Sequence, residues 1–314
     1  MRKFLAPTLV GIGAFLLIVG ILAAVWAPGA VKRTPLDVDT TTRLSGKAAK
    51  IDPTSGDMIP KPIFAENITR VDSKASTDDT AIWVQQSCVA FGTGGDCYDP
   101  DDRNVILLPE DEIVTADDPP SIFGTDRVSA EGVPVSKLPK AAVDAGATTV
   151  EGIVNKFPFD TEKKTYPYWD GTLGESVDAT FDRTKKIKGL ETYVFRVVTD
   201  KAAIDVAENT PGTYSSTKEI YVDPATGAII DQTEDQQRWL DDGTQVLDLS
   251  IGFTDQQVAK NVDEAEDNGA KLTLITSVVP LVGLIGGAVL LLAGGLLAAR
   301  RASERRHRGE LVDA

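Results

Sequence analysis

Between Lys156 and Asp170 the chain reads KFPFDTEKKTYPYWD, a dense run of rings and charges. Five of the twenty aromatic residues, Phe157, Phe159, Tyr166, Tyr168 and Trp169, fall within the thirteen positions from Phe157 to Trp169. Pro158 and Pro167 interrupt them, so the stretch is no plain helix. Flat rings on a stiff backbone can stack on sugar faces or line a lipid chamber. Lys163 and Lys164 could meet a phosphate. The competing use of the rings is to fill the core of a domain poor in aromatics. The candidate ligand-binding residues are therefore Phe157, Phe159, Lys163, Lys164, Tyr166, Tyr168 and Trp169.

Other constellations carry less. The one histidine, His307, lies near the C-terminus, so the long polar middle of the chain has no His-based triad, zinc site or proton shuttle. Asp96, Asp99, Asp101 and Asp102 cluster, but Arg103 falls where an EF-type loop needs an oxygen and no Gly follows at the sixth place. A solvated acidic turn is expected there, and no metal site. Ser215 and Lys218 have S-x-x-K spacing, yet they enter a strand pattern and lack the companion motifs. Asp and Glu are so abundant that no carboxylate pair stands out for glycoside chemistry. No catalytic residue and no cofactor is assigned. Cys88 and Cys97 flank Phe91-Gly92-Thr93-Gly94-Gly95; in an oxidising compartment this favours a disulfide, stabilising by about 2–3 kcal/mol.

These residues sit between two apolar segments. No charge occurs between Lys3 and Lys32, nor between Lys271 and Arg300, and each gap is 28 residues long. As helices each would cover about 40 Å, more than a bilayer core of about 30 Å. Pro28 after Ala27 argues against signal-peptide cleavage, so the first span is expected to stay as an anchor. Arg2, Lys3 and the basic tail from Arg300 put both termini in the cytoplasm and the large middle segment outside, at the plasma membrane. Of 32 basic and 47 acidic residues, seven and three respectively lie outside this middle, which leaves it at a net −19. The tail is read as a topology anchor, and its charge invokes no nucleic acid. Gly20 with Ala24, and Gly283 with Gly287, have the spacing at which membrane helices pack closely, although small residues are common in such helices anyway.

Between the spans the pattern is β-rich. Residues 31–50 read as an extended lead-off or a first edge strand, and 81–90 as a strand. A short apolar run covers 104–108. Residues 109–139 read as long surface loops, and 140–146 as a short helix. Residues 191–199 form the clearest strand. Asp223-Pro224-Ala225-Thr226-Gly227 turns a hairpin between 218–222 and 228–230, and a second hairpin is expected around Asp241-Asp242-Gly243. From Thr254, a capping box with Gln257 precedes the stripe Val258, Val262, Ala265, with Asn268-Gly269 as an end or hinge. The class is α+β: a β-rich extracytoplasmic domain flanked by N- and C-terminal transmembrane helices. The boundaries are 1–31, 32–253, a juxtamembrane helix 254–270, the second span 271–299 and the tail 300–314.

The PFDTEKKTYPYWD stretch, the YVDPATGAII hairpin and the two-span layout together resemble the PorA-type family of mycolic-acid-bearing actinobacteria. The resemblance covers nearly the whole chain. It implies an inner-membrane protein of a complex envelope, active in maturation of lipoglycans such as lipomannan and lipoarabinomannan. The implied partners are the bilayer, an envelope lipid or lipid-linked glycan, and membrane glycosyltransferases. A carboxylate-dependent glycan-active enzyme and a porin-like or structural protein are the alternatives. A lipid-spanning barrel needs many apolar-outward segments with aromatic girdles, which this Asp-rich middle lacks.

Overall fold

A computed structural model describes residues 4–103, 105–117 and 119–310. The chain divides into two units, Met1–Arg33 with Asp267–Ala314, and Thr34–Glu266.

In the first unit, α1 (Leu5–Val25) and the short α2 (Ala27–Val31) come from the N-terminal apolar segment. The C-terminal segment supplies a π-helical turn (Leu274–Val278) and α5 (Val279–Glu310). Both apolar helices are long enough to cross a bilayer. Helices α1 and α5 touch through glycines. A Cβ on Gly20 would lie 2.8 Å from the Leu284 nitrogen, and one on Gly13 would lie 2.8 Å from that of Leu291. Gly283 and Gly287 face them across the contact. Small residues let the two backbones approach where apolar side chains gain little from burial in lipid. The α1 contact uses Gly13 and Gly20, seven apart, rather than Gly20 with Ala24, which is exposed.

The second unit is a curled antiparallel sheet. Its strands are β1 (Asp39–Lys50), β2 (Lys61–Val71), β3 (Thr80–Phe91), β4 (Ile113–Ala116), β5 (Ser121–Asp126) and β6 (Gly132–Val133). After a one-turn helix α3 (Lys140–Asp144) come β7 (Tyr166–Asp170), β8 (Glu175–Ile187), β9 (Leu190–Ala207), β10 (Thr210–Val222), β11 (Ile229–Leu240) and β12 (Gln245–Phe253). The order is β6-β5-β3-β2-β1-β12-β11-β10-β9-β8-β7, with β4 also on β3. The two expected hairpins are β10–β11 and β11–β12.

Several expectations change. β1 is no edge: it pairs with β2 on one side and β12 on the other, at the middle of the sheet. Its Thr-rich sequence hides this, because only alternate residues such as Leu44 and Ala48 feed the core. The stretch taken as surface loops holds β4, β5 and β6, strands too short to show a period. Of the apolar run 104–108, Ile106 makes one isolated bridge to Tyr98, and Asn104 lies outside the described residues. Asn268 and Gly269 lie inside α4 (Asp255–Thr273) and end nothing.

The ends of the sheet are stitched together. Gly132 donates its N–H to Gly152 O, Ile153 donates to Pro167 O, and Trp169 donates to Ile153 O, each at 2.8 Å. Residues 152–153 thus link the β6 end to β7 and satisfy edges that would otherwise be open. Gly152 holds φ +77°, and a Cβ there would lie 2.5 Å from Pro167 O.

Strand register sorts the side chains. One face carries Phe195, Ile220 and Val222 with Phe157, Tyr166 and Tyr168; further across it carries Ala48, Ile63, Leu247, Leu249 and Ile251. On the other face α4 lays Val258, Val262 and Ala265 against Val194, Tyr221 and Ile230. Thr254 Oγ1 accepts the Gln257 N–H at 3.1 Å, which makes half of the expected capping box. The Gln257 side chain instead accepts the Arg43 N–H at 3.1 Å and ties α4 to β1.

Also on that second face, the loop after β3 is pinned by the Cys88–Cys97 disulfide. The buried Glu66 carboxylate accepts the Cys97 N–H at 2.9 Å and the Tyr98 N–H at 3.3 Å. Arg43 spans from Glu66 to Asp96. Asp99 accepts the N–H groups of Asp101 and Asp102, which lowers its pKa and makes this acidic stretch a self-bonded turn.

A very tight backbone approach lies at the β10–β11 turn. Gly227 has φ +73°, and a Cβ on it would lie 2.0 Å from Phe157 O. Gly227→Ala should therefore cost at least about 2–3 kcal/mol, from backbone strain plus a displaced Phe157 segment. Gly174→Ala, with φ +72° but open space, should cost about 1 kcal/mol. Thermal melting of the two full-length variants in detergent compares them.

Candidate functional site

The aromatic segment docks on the β10–β11 turn through its backbone. Phe157 donates its N–H to Gly227 O and Thr161 donates to Pro224 O, both at 2.8 Å. The two motifs read separately in the sequence are thus one contact in space.

Docking divides the candidate residues. Phe157 is fully buried, stacked on Phe195 at 4.6 Å between centroids and edge-on to Tyr166 at 5.4 Å. Tyr166 and Tyr168 are buried in the same cluster, and the Tyr166 hydroxyl accepts the Glu162 N–H at 2.8 Å. These three rings are core. Phe159 and Trp169 are half-buried; Trp169 packs beside Trp83, Phe123 and Val150. Lys163 and Lys164 are exposed.

The cations lie over rings. Lys163 Nζ is 4.9 Å from the Tyr193 centroid and 5.6 Å from that of Phe181. Lys164 Nζ is 5.1 Å from the Tyr166 ring and also pairs with Glu162 at 2.8 Å. Lys156 Nζ stands 3.8 Å over Phe159. At Lys163 and Lys164 an exposed ammonium thus stands over a ring face. The result is a ring-backed lysine patch on a strongly acidic unit.

Behind the patch, the segment ends in a polar cluster that the sequence reading missed. Asp170 is buried and accepts the Tyr214 hydroxyl at 3.0 Å and the Thr199 hydroxyl at 3.4 Å. One strand further on, Glu234 accepts Ser216 Oγ at 2.9 Å and pairs with Lys218 Nζ at 3.3 Å. Lys218 also lies 5.5 Å from the Tyr168 ring. Burial by itself would lower the Lys218 pKa; the Glu234 carboxylate, with Tyr168, Tyr214 and Asp170, outweighs it and the net shift is upward. Burial, then the Glu234 and Asp170 charges, push Tyr214 up to about 12. Arg238 Nε is buried without a hydrogen bond, and burial lowers its pKa. Both carboxylates are taken up by neighbours, so the cluster is a closed network. The available signal was the alternation Tyr214, Ser216, Lys218 and Glu234, Gln236, Arg238, which reads as a wet face unless the opposite wall is known. Ser215 points away from Lys218 and accepts the Lys201 N–H, so the S-x-x-K spacing assembles nothing.

Lys156, at the start of the segment, is also unpaired. Its Nζ is buried with no hydrogen-bond partner, and burial pushes its pKa down to about 7. The unfolded amine titrates near its ordinary value, about 10.4. Between these values the unfolded chain binds more protons, so stability should rise with pH across that window. Lys156→Met should stabilise the protein at pH 7 and flatten this rise. Melting curves of both proteins from pH 6 to 10 check it.

No curated protein matches the chain. Residues 5–296 match the family model described as Porin PorA, a span that takes in α1, the whole sheet and most of α5. Together with the two apolar helices, this makes the protein a membrane-associated, porin-like envelope protein. With one family model covering both units, the chain belongs to the porin PorA family.

Proposed function

We propose that this protein is a two-pass envelope-assembly protein whose sheet unit binds, or holds for membrane glycosyltransferases, a lipid-linked glycan of the lipomannan or lipoarabinomannan type. In this reading both termini are cytoplasmic and the sheet unit is extracytoplasmic. The observation that carries it is the pair of exposed cations Lys163 and Lys164, set over the Tyr193, Phe181 and Tyr166 rings, on a chain of net charge −15. An acidic surface repels anionic ligands except where cations gather, so the patch is where a phosphate-bearing glycan would be admitted. Phe157, Tyr166 and Tyr168 hold the patch from below.

Lipomannan binding by the full chain in detergent tests this. Lys163→Glu with Lys164→Glu should weaken it by at least about tenfold, as expected for two lost charge-assisted contacts. Both side chains are exposed, so the melting temperature should hold. No binding by the parent chain, or equal binding by the variant, would overturn the reading.

Family membership favours a second reading, a pore. The outer face of β9 carries Arg196 and Asp200 on either side of Val198, whereas a lipid-facing strand band is apolar throughout. Any pore would therefore have to be built by helices or by assembled copies. Steady single-channel conductance from the purified chain in planar bilayers would favour this reading over glycan binding.

A further inference from the structure

Strand β9 outruns its neighbour. β8 pairs with it only from Leu190 to Val197, while β10 follows it to Ala207. Among the described residues, no strand pairs with the far side of β9 beyond Val197.

The register shows which groups that edge offers. Leu240, opposite Gly212 on β11, spends its N–H and C=O on Thr244 and Gly243, so Gly212 turns its own groups toward Ile204, and the next pair, Asp205 with Pro211, exchanges no hydrogen bonds. Bonded and non-bonded pairs alternate along an antiparallel ladder. Asp205 and Ala203 therefore direct their N–H and C=O groups away from β10, toward the open side. Lys201, Ala203, Asp205 and Ala207 are exposed on one face, while Ala202, Ile204 and Val206 are half-buried on the other. An open edge of this kind is a template for another strand.

The charges on the edge select the occupant. Paired antiparallel with itself about Ala203, the strand sets Lys201 opposite Asp205 of the second strand, and the symmetry repeats the pair. The apolar residues then match too, Ala202 facing Ile204. A shift of one residue to either side removes the double charge match. We propose that the free edge of β9 from Lys201 to Ala207 pairs antiparallel with the same edge of a second copy of this chain, in two-fold register about Ala203. Such a contact is isologous and closes at two copies. It is small, and holding both copies in one membrane raises their effective concentration. Lys201 sits at a bulge with φ +47°, where a lysine discourages indiscriminate strand addition. Its match to Asp205 makes the same edge selective.

The experiment uses the full chain in detergent. Its mass, measured by light scattering across a concentration series, should pass from monomer to dimer. Ala203→Cys should form a symmetric inter-chain disulfide on mild oxidation. Asp205→Lys should weaken the dimer by about tenfold, because both cross-strand pairs turn from attractive to repulsive. Adding Lys201→Asp to Asp205→Lys should restore it, and aspartate tolerates the positive φ at 201. Both side chains are exposed, so unchanged melting of each variant excludes misfolding. A chain monomeric at every concentration overturns the proposal. So does a dimer that is indifferent to Asp205→Lys and stays uncrosslinked in the Ala203→Cys variant, since that dimer uses another surface. If the Ala203→Cys variant in native membranes captures a different protein and never itself, the proposal gives way to a heterologous strand.

Discussion

The sheet unit depends on one backbone-to-backbone seam. Gly227 lies against the Phe157 carbonyl, and Gly152 lies against that of Pro167, at distances that leave no room for a side chain. The first contact fastens residues 153–170 to the β10–β11 turn, and the second carries the same segment across to β6. A curled sheet that failed to meet itself would leave two rows of unpaired N–H and C=O groups. Here one irregular segment satisfies both rows and delivers three aromatic rings into the core.

What the seam encloses is partly charged. Lys218, Glu234, Asp170 and Tyr214 occupy inward positions on β7, β10 and β11, where apolar residues would be the simpler choice. Burying ions costs several kcal/mol each unless partners replace water. Nearly every member has such a partner, with Arg238 Nε as the exception. A network of this kind holds strand register, because a slip by one residue would send Lys218 and Glu234 to the opposite face unpaired. The aromatic core and the polar cluster share one wall, and Tyr168 belongs to both. The exposed cations therefore stand on a foundation set by packing.

The glycine contacts of the helical unit follow a related logic in another solvent. In lipid, apolar side chains gain little from burial against each other, so close backbone approach through Gly13, Gly20, Gly283 and Gly287 supplies dispersion instead. In water the apolar stripe of α4 suffices, because burying Val258 and Val262 removes them from solvent.

By itself the sequence determined whatever depends on neighbours along the chain. The two uncharged spans, the α+β class, the Cys88–Cys97 loop, the Asp223–Gly227 hairpin and the stripe on α4 all follow from composition, turn chemistry and periodicity. The family was legible as well, because its motifs are contiguous. Only the tertiary structure decided which faces are inside. Thr-rich β1 reads as an edge and is central, since its partner β12 comes from the far end of the sheet unit's sequence. The strands within 113–133 are too short to carry a period. The rings at 157, 166 and 168 read equally as a ligand site or as core and are buried, while Lys163 and Lys164 beside them stay in water. A polar residue on a strand shows the same alternation whether it faces solvent or a buried partner. The difference lies in the opposite wall, which the chain builds only when distant segments meet.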